Sequence, residues 1–430
     1  MSNDNQTTPK DPDMNVVNPD ENSADVNVNQ TEAVTETKSD DSDSEDSEEP
    51  DRDSKESAPD KSNTLSTSST TSTSSDGVQK AKSGEDTKQK SSKFKLALKP
   101  LSEQVIVITG ASSGIGLVTA RMAAAQGAKV VAVARNEDAL QQLVTELQGK
   151  GQTAVYVAAD VGREEEIERV AETAIREFDT FDTWVNNAGV SIFGKAMDVT
   201  TEDMKRMFDT VYWSVVYGSK AAVRHFKERG VPGALINVGS IFGDRGVVIQ
   251  STYSSAKFAV HGWTENLRME LEKEKAPVSV TLIHPGRIDT PYNEHAQSYL
   301  DKQPVHRGMI YPPESVAEAI LYTAAHPKRD MFVGSQARLG ALFGNLVPRL
   351  TDKAFELIMF RGQQSHDRPS QPRQAGALHE PGYGMHERGT NEGFVRGGSL
   401  YVKATKHPVV STAAVAGLGA LVWAIAKRKR

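Results

Sequence analysis

The sequence predicts an α/β fold in which a parallel sheet is covered by helices on both faces. Short apolar runs typical of buried strands alternate with stretches of helical periodicity, and the connecting loops are short. The first apolar run, 105–108, leads directly into the glycine-rich turn T-G-A-S-S-G-I-G at 109–116. Because parallel strands are joined by right-handed crossovers, these observations together indicate a single sheet with two helical layers.

The turn at 109–116 has the composition of a phosphate-binding loop. Gly110 permits a tight turn, while Gly114 and Gly116 let the backbone approach a ligand and the preceding strand. The helical stretch 117–126 follows, and a helix N-terminus offers unpaired N–H groups to an anion. An ordinary loop is the alternative interpretation, but three further motifs follow at fitting distances, which favours a phosphate site.

Further strands and helices follow in alternation. Strands are predicted at 129–134, 153–158, 183–185, 233–238, 278–283 and 331–334. Helices are predicted at 136–147, 163–178 and 253–273, and another begins at Pro312 and Pro313. The sequence therefore predicts a sheet of about seven strands over residues 100–335.

The N-terminal region has a different composition. Residues 1–76 hold 20 acidic and 5 basic residues and no aromatic residue, so we expect a disordered acidic tail, either a spacer or a docking arm. A basic linker completes the predicted region 1–99. The chain has no cysteine, which excludes disulfides, thiolate catalysis and cysteine-ligated metals. No signal-peptide pattern is present, so we expect a cytoplasmic catalytic domain.

Three segments follow the predicted domain. Residues 336–360 indicate a helical extension interrupted by Pro348, and residues 361–408, rich in Gly, Pro, Arg and His, indicate a linker. Residues 409–426 form a hydrophobic, uncharged run of 18 residues with basic flanks. We expect this run to be a membrane segment, with a buried soluble helix as the alternative.

Five motifs resemble those of the short-chain dehydrogenase/reductase family, single-domain branch. They are 109–116, the N-N-A-G stretch 186–189, Ser240, the Tyr253 and Lys257 pair, and Pro285-Gly286. The resemblance covers about residues 101–335. It implies a doubly wound (Rossmann) parallel sheet, a nicotinamide cofactor and the interconversion of an alcohol and a carbonyl.

The predicted catalytic residues are Ser240, Tyr253 and Lys257. A carbonyl that receives hydride develops negative charge on its oxygen, so the site needs a donor and an acid. Tyr253 is the predicted acid/base, and Lys257, one helical turn later, supplies positive charge that favours the phenolate. Ser240 follows the fifth strand, where its hydroxyl can hold the substrate oxygen. A chance surface pair on a helix is the alternative interpretation of Tyr253 and Lys257.

One position departs from the family pattern. Val211 stands where family members usually carry an asparagine, which is held to bind a water in the proton relay. Valine cannot form a hydrogen bond. We therefore expect either another ligand for that water or slower turnover.

The end of the second strand indicates the cofactor. Arg135 stands where a carboxylate would select NAD, and a guanidinium can pair with the 2′-phosphate of NADP. We therefore expect NADP, with NAD as the alternative. The predicted cofactor-binding residues are Thr109, Gly110, Ser112, Ser113, Gly114, Ile115, Gly116, Arg135, Asp160, Val161, Asn187, Ala188, Gly189, Tyr253, Lys257, Pro285, Gly286 and Thr290.

The segment after the sixth strand indicates where the substrate binds. Residues 291–311 are the predicted lid, with Phe193, Phe242 and Tyr292 as pocket residues and His295 and His306 as solvated loop residues. We expect a small alcohol or ketone as substrate, no metal and no nucleic acid.

Helices at 201–229 and 253–273 are the expected homodimer surface. A nucleotide-binding protein with little turnover and a membrane-tethered adaptor are the alternative functions.

Overall fold

A seven-stranded parallel sheet forms the centre of the structure, a computed structural model that describes residues 96–334, 346–391, 393–407, 411, 423 and 427. The strands run in the spatial order β7-β6-β5-β4-β1-β2-β3. They are β1 Val105–Thr109, β2 Lys129–Ala134, β3 Ala154–Ala158, β4 Thr183–Asn186, β5 Gly233–Val238, β6 Val278–Pro285 and β7 Asp330–Val333. This arrangement confirms the predicted parallel α/β sheet.

Nine α-helices are described in the chain. They are α1 Gly114–Ala125, α2 Glu137–Gly149, α3 Glu164–Phe178, α4 Thr201–Phe208, α5 Ser214–Arg229, α6 Ser251–Glu274, α7 Pro313–Ala325, α8 Pro348–Gly362 and α9 Leu400–Lys406. Local sequence explains their ends. Asn136 caps α2 by accepting the Ala139 N–H, and Gly230 ends α5 in the left-handed conformation.

Alternate residues of each strand enter different cores. Ile106 and Ile108 of β1 pack with α1, α2 and α7, whereas Val105 and Val107 pack with α3 and α5 on the opposite face. All five residues of β1 are buried, which explains why its sequence is continuously apolar rather than alternating. The two helical layers thus bury both faces of the sheet.

The strand order reverses between β1 and β4. Both strands are central, and β1 pairs with β4 on one side and with β2 on the other. At such a switch point the loops after neighbouring strands turn to opposite faces and leave a crevice at the carboxyl ends. The loops after β1, β4 and β5 therefore open onto a common site.

The C-terminal part of the chain differs from the predicted linker. Within 361–408, residues Gln364–Pro369 pair antiparallel with Lys302–Pro304, and Phe394–Val395 pair with Met309–Ile310. The Ser399 hydroxyl accepts the Gly334 N–H at 3.2 Å, and α9 packs beside β7. This segment pairs mainly through backbone groups, which a composition rich in Gly and Pro does not reveal.

The predicted acidic tail and most of the predicted basic linker lie outside the described residues. So does nearly all of the predicted membrane segment 409–426, together with residues 335–345 of the predicted helical extension. The remainder of that extension contains α8, which begins at Pro348 after a bend at Val347 that separates it from the helical residue Leu346. Within the described residues, no helix combines the length and apolar character that crossing a membrane requires.

Candidate functional site

The turn after β1 depends on its three glycines. Gly110 and Gly114 have φ of 70° and 51°, a region of backbone conformation that favours glycine. A Cβ at Gly116 would overlap the carbonyl of Gly110, so α1 can approach the strand end only without a side chain there. The glycine-rich turn thus places the N-terminal residues of α1 against the end of β1.

Thr109 joins the ends of β1 and β4. Its hydroxyl oxygen accepts the backbone N–H groups of Asn187 and Ala188 at 2.9 and 3.0 Å. The Asn187 amide in turn donates to the Thr109 carbonyl at 2.9 Å. These bonds hold the two loops on either side of the crevice in a fixed relation.

One cavity at the carboxyl ends of the strands collects most of the predicted site residues. Thr109 and Gly116 do not line it and instead support the turn beneath it. The predicted residues that line it are Gly110, Ser112, Ser113, Gly114, Ile115, Arg135, Asp160, Val161, Asn187, Ala188, Gly189, Ser240, Tyr253, Lys257, Pro285, Gly286 and Thr290.

Ser240, Tyr253 and Lys257 face this cavity from two elements. Ser240 follows β5, and its hydroxyl oxygen accepts the Phe242 N–H at 3.1 Å. Tyr253 and Lys257 lie one turn apart on α6 and are both buried. The Lys257 ammonium donates to the Val238 carbonyl at 2.7 Å and lies 5.8 Å from the centre of the Tyr253 ring.

Burial determines the charge state of these groups. It raises the pKa of the Tyr253 phenol to about 12, against hydrogen bonds from Ser240 and Tyr292 that lower it. It lowers the pKa of the Lys257 ammonium to about 8. At neutral pH the phenol therefore keeps its proton, and the lysine remains largely charged.

A second tyrosine extends the polar network around Tyr253. The Tyr292 hydroxyl donates to the Ser191 hydroxyl at 2.8 Å and accepts from the Gln250 amide at 2.8 Å. The rings of Tyr253 and Tyr292 meet edge to face with centroids 5.5 Å apart. Ser191 and Gln250 were not predicted from the sequence, because they lie outside any periodic pattern or motif.

Val211 lies in a π-helical turn, Asp209–Trp213, between α4 and α5. Its side chain is fully buried and belongs to an apolar cluster with Val190, Met207 and Tyr253. The neighbouring Ser214 hydroxyl donates to the Thr210 carbonyl within the helix. Neither Val211 nor Ser214 therefore replaces the asparagine amide that the family pattern has at position 211. Thr210 lines the cavity. π-Turns of this kind are frequent at functional sites.

A segment far along the chain forms one wall of the cavity. We call residues 377–391 the C-terminal strap. Its Met385 N–H donates to the Ser112 carbonyl at 2.8 Å, and its His386 carbonyl accepts the Gly114 N–H at 2.9 Å. The Gly382 carbonyl accepts the Asn136 amide at 2.9 Å. The strap thus binds the glycine-rich turn and the start of α2. The prediction of a linker at 361–408 did not include these contacts.

The strap also engages Arg135. The guanidinium donates to the carbonyls of Ala377, Leu378 and His379, and burial lowers its pKa. Arg135 therefore stands at the end of β2 as predicted, but three of its N–H donors bind main-chain carbonyls. The sequence offered no signal for this contact because the acceptors are backbone atoms.

Asp160 and Arg206 complete this end of the cavity. The Asp160 carboxylate accepts the Arg206 guanidinium at 2.7 Å and the Gly162 N–H at 3.0 Å, and these bonds lower its pKa despite its burial. Arg206 also donates to the Leu378 carbonyl at 3.2 Å. With Arg135, this end of the cavity holds two guanidiniums, and the carboxylates of Asp160 and Glu380 both act on Arg135.

The lid residues differ in part from expectation. His295 and His306 are half-buried rather than solvated loop residues: both line the cavity, and burial lowers the pKa of the His306 imidazole to about 4. The His306 ring stacks on Tyr292, a contact that the irregular spacing of the histidines does not indicate. Phe193 is fully buried against Tyr292 and does not line the cavity, whereas Phe242 and Tyr292 do.

Comparisons with known proteins agree with this geometry. A family model for short chain dehydrogenases matches residues 104–300. An uncharacterised oxidoreductase of Bacillus subtilis, YxnA, is 70% identical over 79% of this chain and 94% of its own length. The putative oxidoreductase SadH of Mycobacterium tuberculosis is 33% identical over 57% of this chain and 93% of its own length.

A solved structure shares the fold. It is a short-chain dehydrogenase/reductase from Burkholderia phymatum in complex with NAD, with 22% identity and a TM-score of 0.50, covering 61% of this chain and 96% of that chain. The glycine-rich turn, the strand order and the relatives lead to one conclusion. The chain belongs to the short-chain dehydrogenase/reductase family and is an oxidoreductase.

Proposed function

We propose that the protein is an NADP(H)-dependent oxidoreductase that interconverts an alcohol and a carbonyl compound, with Tyr253 as the acid/base. One observation carries the proposal: Ser240, Tyr253 and Lys257 face the same cavity as the glycine-rich turn. A buried phenol beside a buried ammonium is costly to fold, since burial shifts both pKa values. Such an arrangement supports a role in proton transfer.

The cavity fits a nicotinamide dinucleotide. A phosphate group needs close backbone approach at a helix N-terminus, and Gly110, Gly114 and Gly116 allow it at the start of α1, where the strap holds the Gly114 N–H and would have to release it. Asp160 and Val161 would hold the adenine end, and Asn187 and Gly189 the middle of the cofactor. Pro285, Gly286 and Thr290 would hold the nicotinamide end. The bound cofactor would supply or accept the hydride.

The chain's own residues would handle the substrate oxygen and its proton. The Ser240 hydroxyl accepts the Phe242 N–H and donates toward Tyr253, and its proton would turn to the carbonyl oxygen when substrate binds. Tyr253, which keeps its proton at neutral pH, would deliver it to the developing alkoxide. Lys257 would then stabilise the phenolate by its charge. In the oxidative direction Tyr253 would accept the proton.

Arg135 and Arg206 support NADP over NAD. Both guanidiniums lie near the end of β2 and would pair with a 2′-phosphate, while the carboxylates of Asp160 and Glu380 offset charge around Arg135. A phosphate oxygen is a stronger acceptor for guanidinium than a carbonyl. Phosphate binding at Arg135 would therefore proceed beside the strap or in competition with it.

Binding without turnover is the second candidate, and Val211 favours it. A buried valine at this position removes a polar group that the family uses near the lysine. The intact Ser240, Tyr253 and Lys257 weigh against this candidate, since a binding protein needs no acid. The adaptor alternative has no support from the cavity.

The experiment is a screen of aldehydes and ketones that follows NADPH absorbance, run beside thermal-shift measurements with NADPH and NADH. The proposal expects NADPH oxidation with at least one carbonyl and a larger thermal shift with NADPH. Stabilisation by nucleotide without oxidation of any carbonyl would move the function to the second candidate.

The proposed homodimer would use the helices within 201–229, α4 and α5, together with α6. Trp213, just before α5, and Phe258 and Met269 of α6 have 42%, 46% and 55% of their surface exposed. Phe258 and Met269, eleven residues apart, share one face of α6, and large exposed apolar side chains on a helix face suit a protein interface. The dimer remains our proposal for this face.

A further inference from the structure

A buried polar cluster lies directly behind Ser240. It consists of Asp244, His261 and His284, whose polar side-chain atoms lie within 4.8 Å of one another. Asp244 follows the short turn Ile241–Gly243 after Ser240, His261 lies on α6, and His284 on β6. Both histidines are buried, and neither takes part in the mechanism proposed above.

His261 continues a row of functional side chains on α6. Tyr253, Lys257 and His261 are spaced four residues apart, so they lie one above another on the same helix face. Lys257 donates to the Val238 carbonyl, and the Nε2 atom of His261 accepts the Ser240 N–H at 3.3 Å. Two successive turns of α6 therefore hold the main chain that leads from β5 to Ser240.

The hydrogen bonds determine the tautomer of His261. Its Nε2 faces an N–H donor and must therefore be unprotonated, so the ring proton lies on Nδ1. That nitrogen is 3.2 Å from one carboxylate oxygen of Asp244, which accepts the Nδ1–H hydrogen bond. The other oxygen of Asp244 accepts from Nδ1 of His284 at 3.0 Å. Asp244 thus orients both rings.

The same argument disfavours a metal ion at this cluster. A histidine that binds a metal through one nitrogen normally carries a proton on the other and donates it. If Nδ1 of His261 bound a metal while Nε2 accepted the Ser240 N–H, the ring would carry no proton and would be an anion. The contacts fit a proton-bonded chain instead.

The space around His261 is shaped for its ring. A Cβ at Gly239 would overlap Nε2, and a Cβ at Gly243 would lie 2.6 Å from it. The glycines on either side of the Ser240 loop therefore allow the imidazole to reach the backbone. This close fit holds the acceptor at one place relative to Ser240.

The surrounding charges keep His261 neutral. Burial, the charge of His284 and that of Lys257 lower its pKa, against Asp244, which raises it. His284 is held between Asp244 and Asp330 of β7, which raise its pKa, and Arg268 lies 3.7 Å from Asp330. Hydrogen bonds from the two histidines lower the pKa of Asp244 to about 2.

We propose that His261 is a positioning residue that fixes the backbone of Ser240 through its unprotonated Nε2, and that protonation of this nitrogen releases Ser240. The inference rests on the proposed role of Ser240 in the reaction. With a proton on Nε2, the His261 ring and the Ser240 N–H would be two donors facing each other at 3.3 Å. Because two donors cannot bond, the Ser240 loop has to move. The Ser240 hydroxyl then leaves its place beside Tyr253.

The test compares His261→Phe and His261→Gln with wild type in full-length protein. Phenylalanine keeps the ring and removes the acceptor, so we expect a kcat roughly ten- to a hundredfold lower with unchanged NADPH affinity. Glutamine keeps an oxygen acceptor that cannot gain a proton. We expect it to restore most of kcat and to abolish the acid loss of activity that we predict for wild type, which should lie below the ordinary imidazole value of about 6.5 because burial lowers the pKa of His261.

His225→Phe is the matched control. His225 also accepts a backbone N–H through Nε2, from Phe181 at 3.3 Å, and burial also lowers its pKa, but it does not line the cavity. We expect neither its kcat nor its pH profile to change. If Ser240→Ala loses activity but His261→Phe keeps the kcat of wild type and the same loss of activity at acid pH, the inference is overturned. The proposed function would still stand in that case.

Two measurements do not depend on turnover. In ¹⁵N-histidine-labelled protein, His261 should show an unprotonated Nε2 and a protonated Nδ1 at neutral pH. Hydrogen exchange of residues 239–243 should become faster in His261→Phe and return toward wild type in His261→Gln. The opposite tautomer, or exchange unaffected by either substitution, would refute the inference even if no carbonyl substrate were found.

Discussion

Replacing Arg135 with aspartate is expected to shift the cofactor preference from NADPH toward NADH. The guanidinium has five N–H donors, and within the described part of the chain three of them bind the carbonyls of Ala377, Leu378 and His379. Two donors remain for a 2′-phosphate without displacing the strap. An aspartate would instead repel the phosphate and accept from ribose hydroxyls.

The magnitude follows from the number and type of these bonds. A charge-assisted contact contributes about 1.5 to 3 kcal/mol, so losing the phosphate contact should weaken NADPH binding roughly ten- to a hundredfold. NADH, which has no 2′-phosphate, should bind at least as well as before. The strap should also loosen, since its three carbonyls lose their donor.

The assay is titration of each cofactor against wild type, Arg135→Asp and Arg121→Ala. Arg121 holds the strap through Glu387 at 2.7 Å but does not line the cavity, so it separates loosening of the strap from loss of the phosphate partner. We expect Arg121→Ala to leave the ratio of NADPH to NADH affinity unchanged. An equal ratio in wild type and Arg135→Asp would refute the role of Arg135.

Four further predictions concern catalysis, the turn and assembly. Tyr253→Phe should abolish turnover with nearly unchanged nucleotide affinity, whereas Lys257→Ala should damage both, as steady-state kinetics and titration would show. Tyr292→Phe removes a hydrogen bond that lowers the pKa of Tyr253, so that pKa should rise in an NMR titration of ¹³C-labelled tyrosine; a fall would contradict this. Gly116→Ala should destabilise the fold by about 1 to 3 kcal/mol in denaturant unfolding, since its Cβ overlaps a carbonyl. Phe258→Glu should convert the proposed dimer to a monomer in light scattering, and a wild-type monomer would exclude that dimer.

Much of the sheet, and the meeting of Ser240, Tyr253 and Lys257 at one cavity, could be predicted from the sequence. Buried strands such as β1 are continuously apolar, and residues that follow them meet at one edge of a parallel sheet. Tyr253 and Lys257 share a helix face by their spacing alone. These parts follow from periodicity, which a single sequence contains.

Contacts through backbone atoms could not be predicted. The strap binds Gly114, Ser112 and Arg135 through main-chain groups, so its side chains carry no pattern that marks it. The histidines His261 and His306 illustrate the same limit, since their partners come from distant segments. The prediction of solvated lid histidines was wrong because loop composition says nothing about which elements later cover a loop.

The measurement that tests the account most directly follows hydride transfer. Full-length wild type and Tyr253→Phe would be given NADPH that carries deuterium at both hydrogens of nicotinamide C4, together with a carbonyl identified by the screen. The product would be analysed by mass spectrometry. The account predicts that wild type forms an alcohol carrying one deuterium and that Tyr253→Phe forms almost none. Equal deuterium incorporation by both proteins would contradict the assignment of Tyr253 as the acid/base.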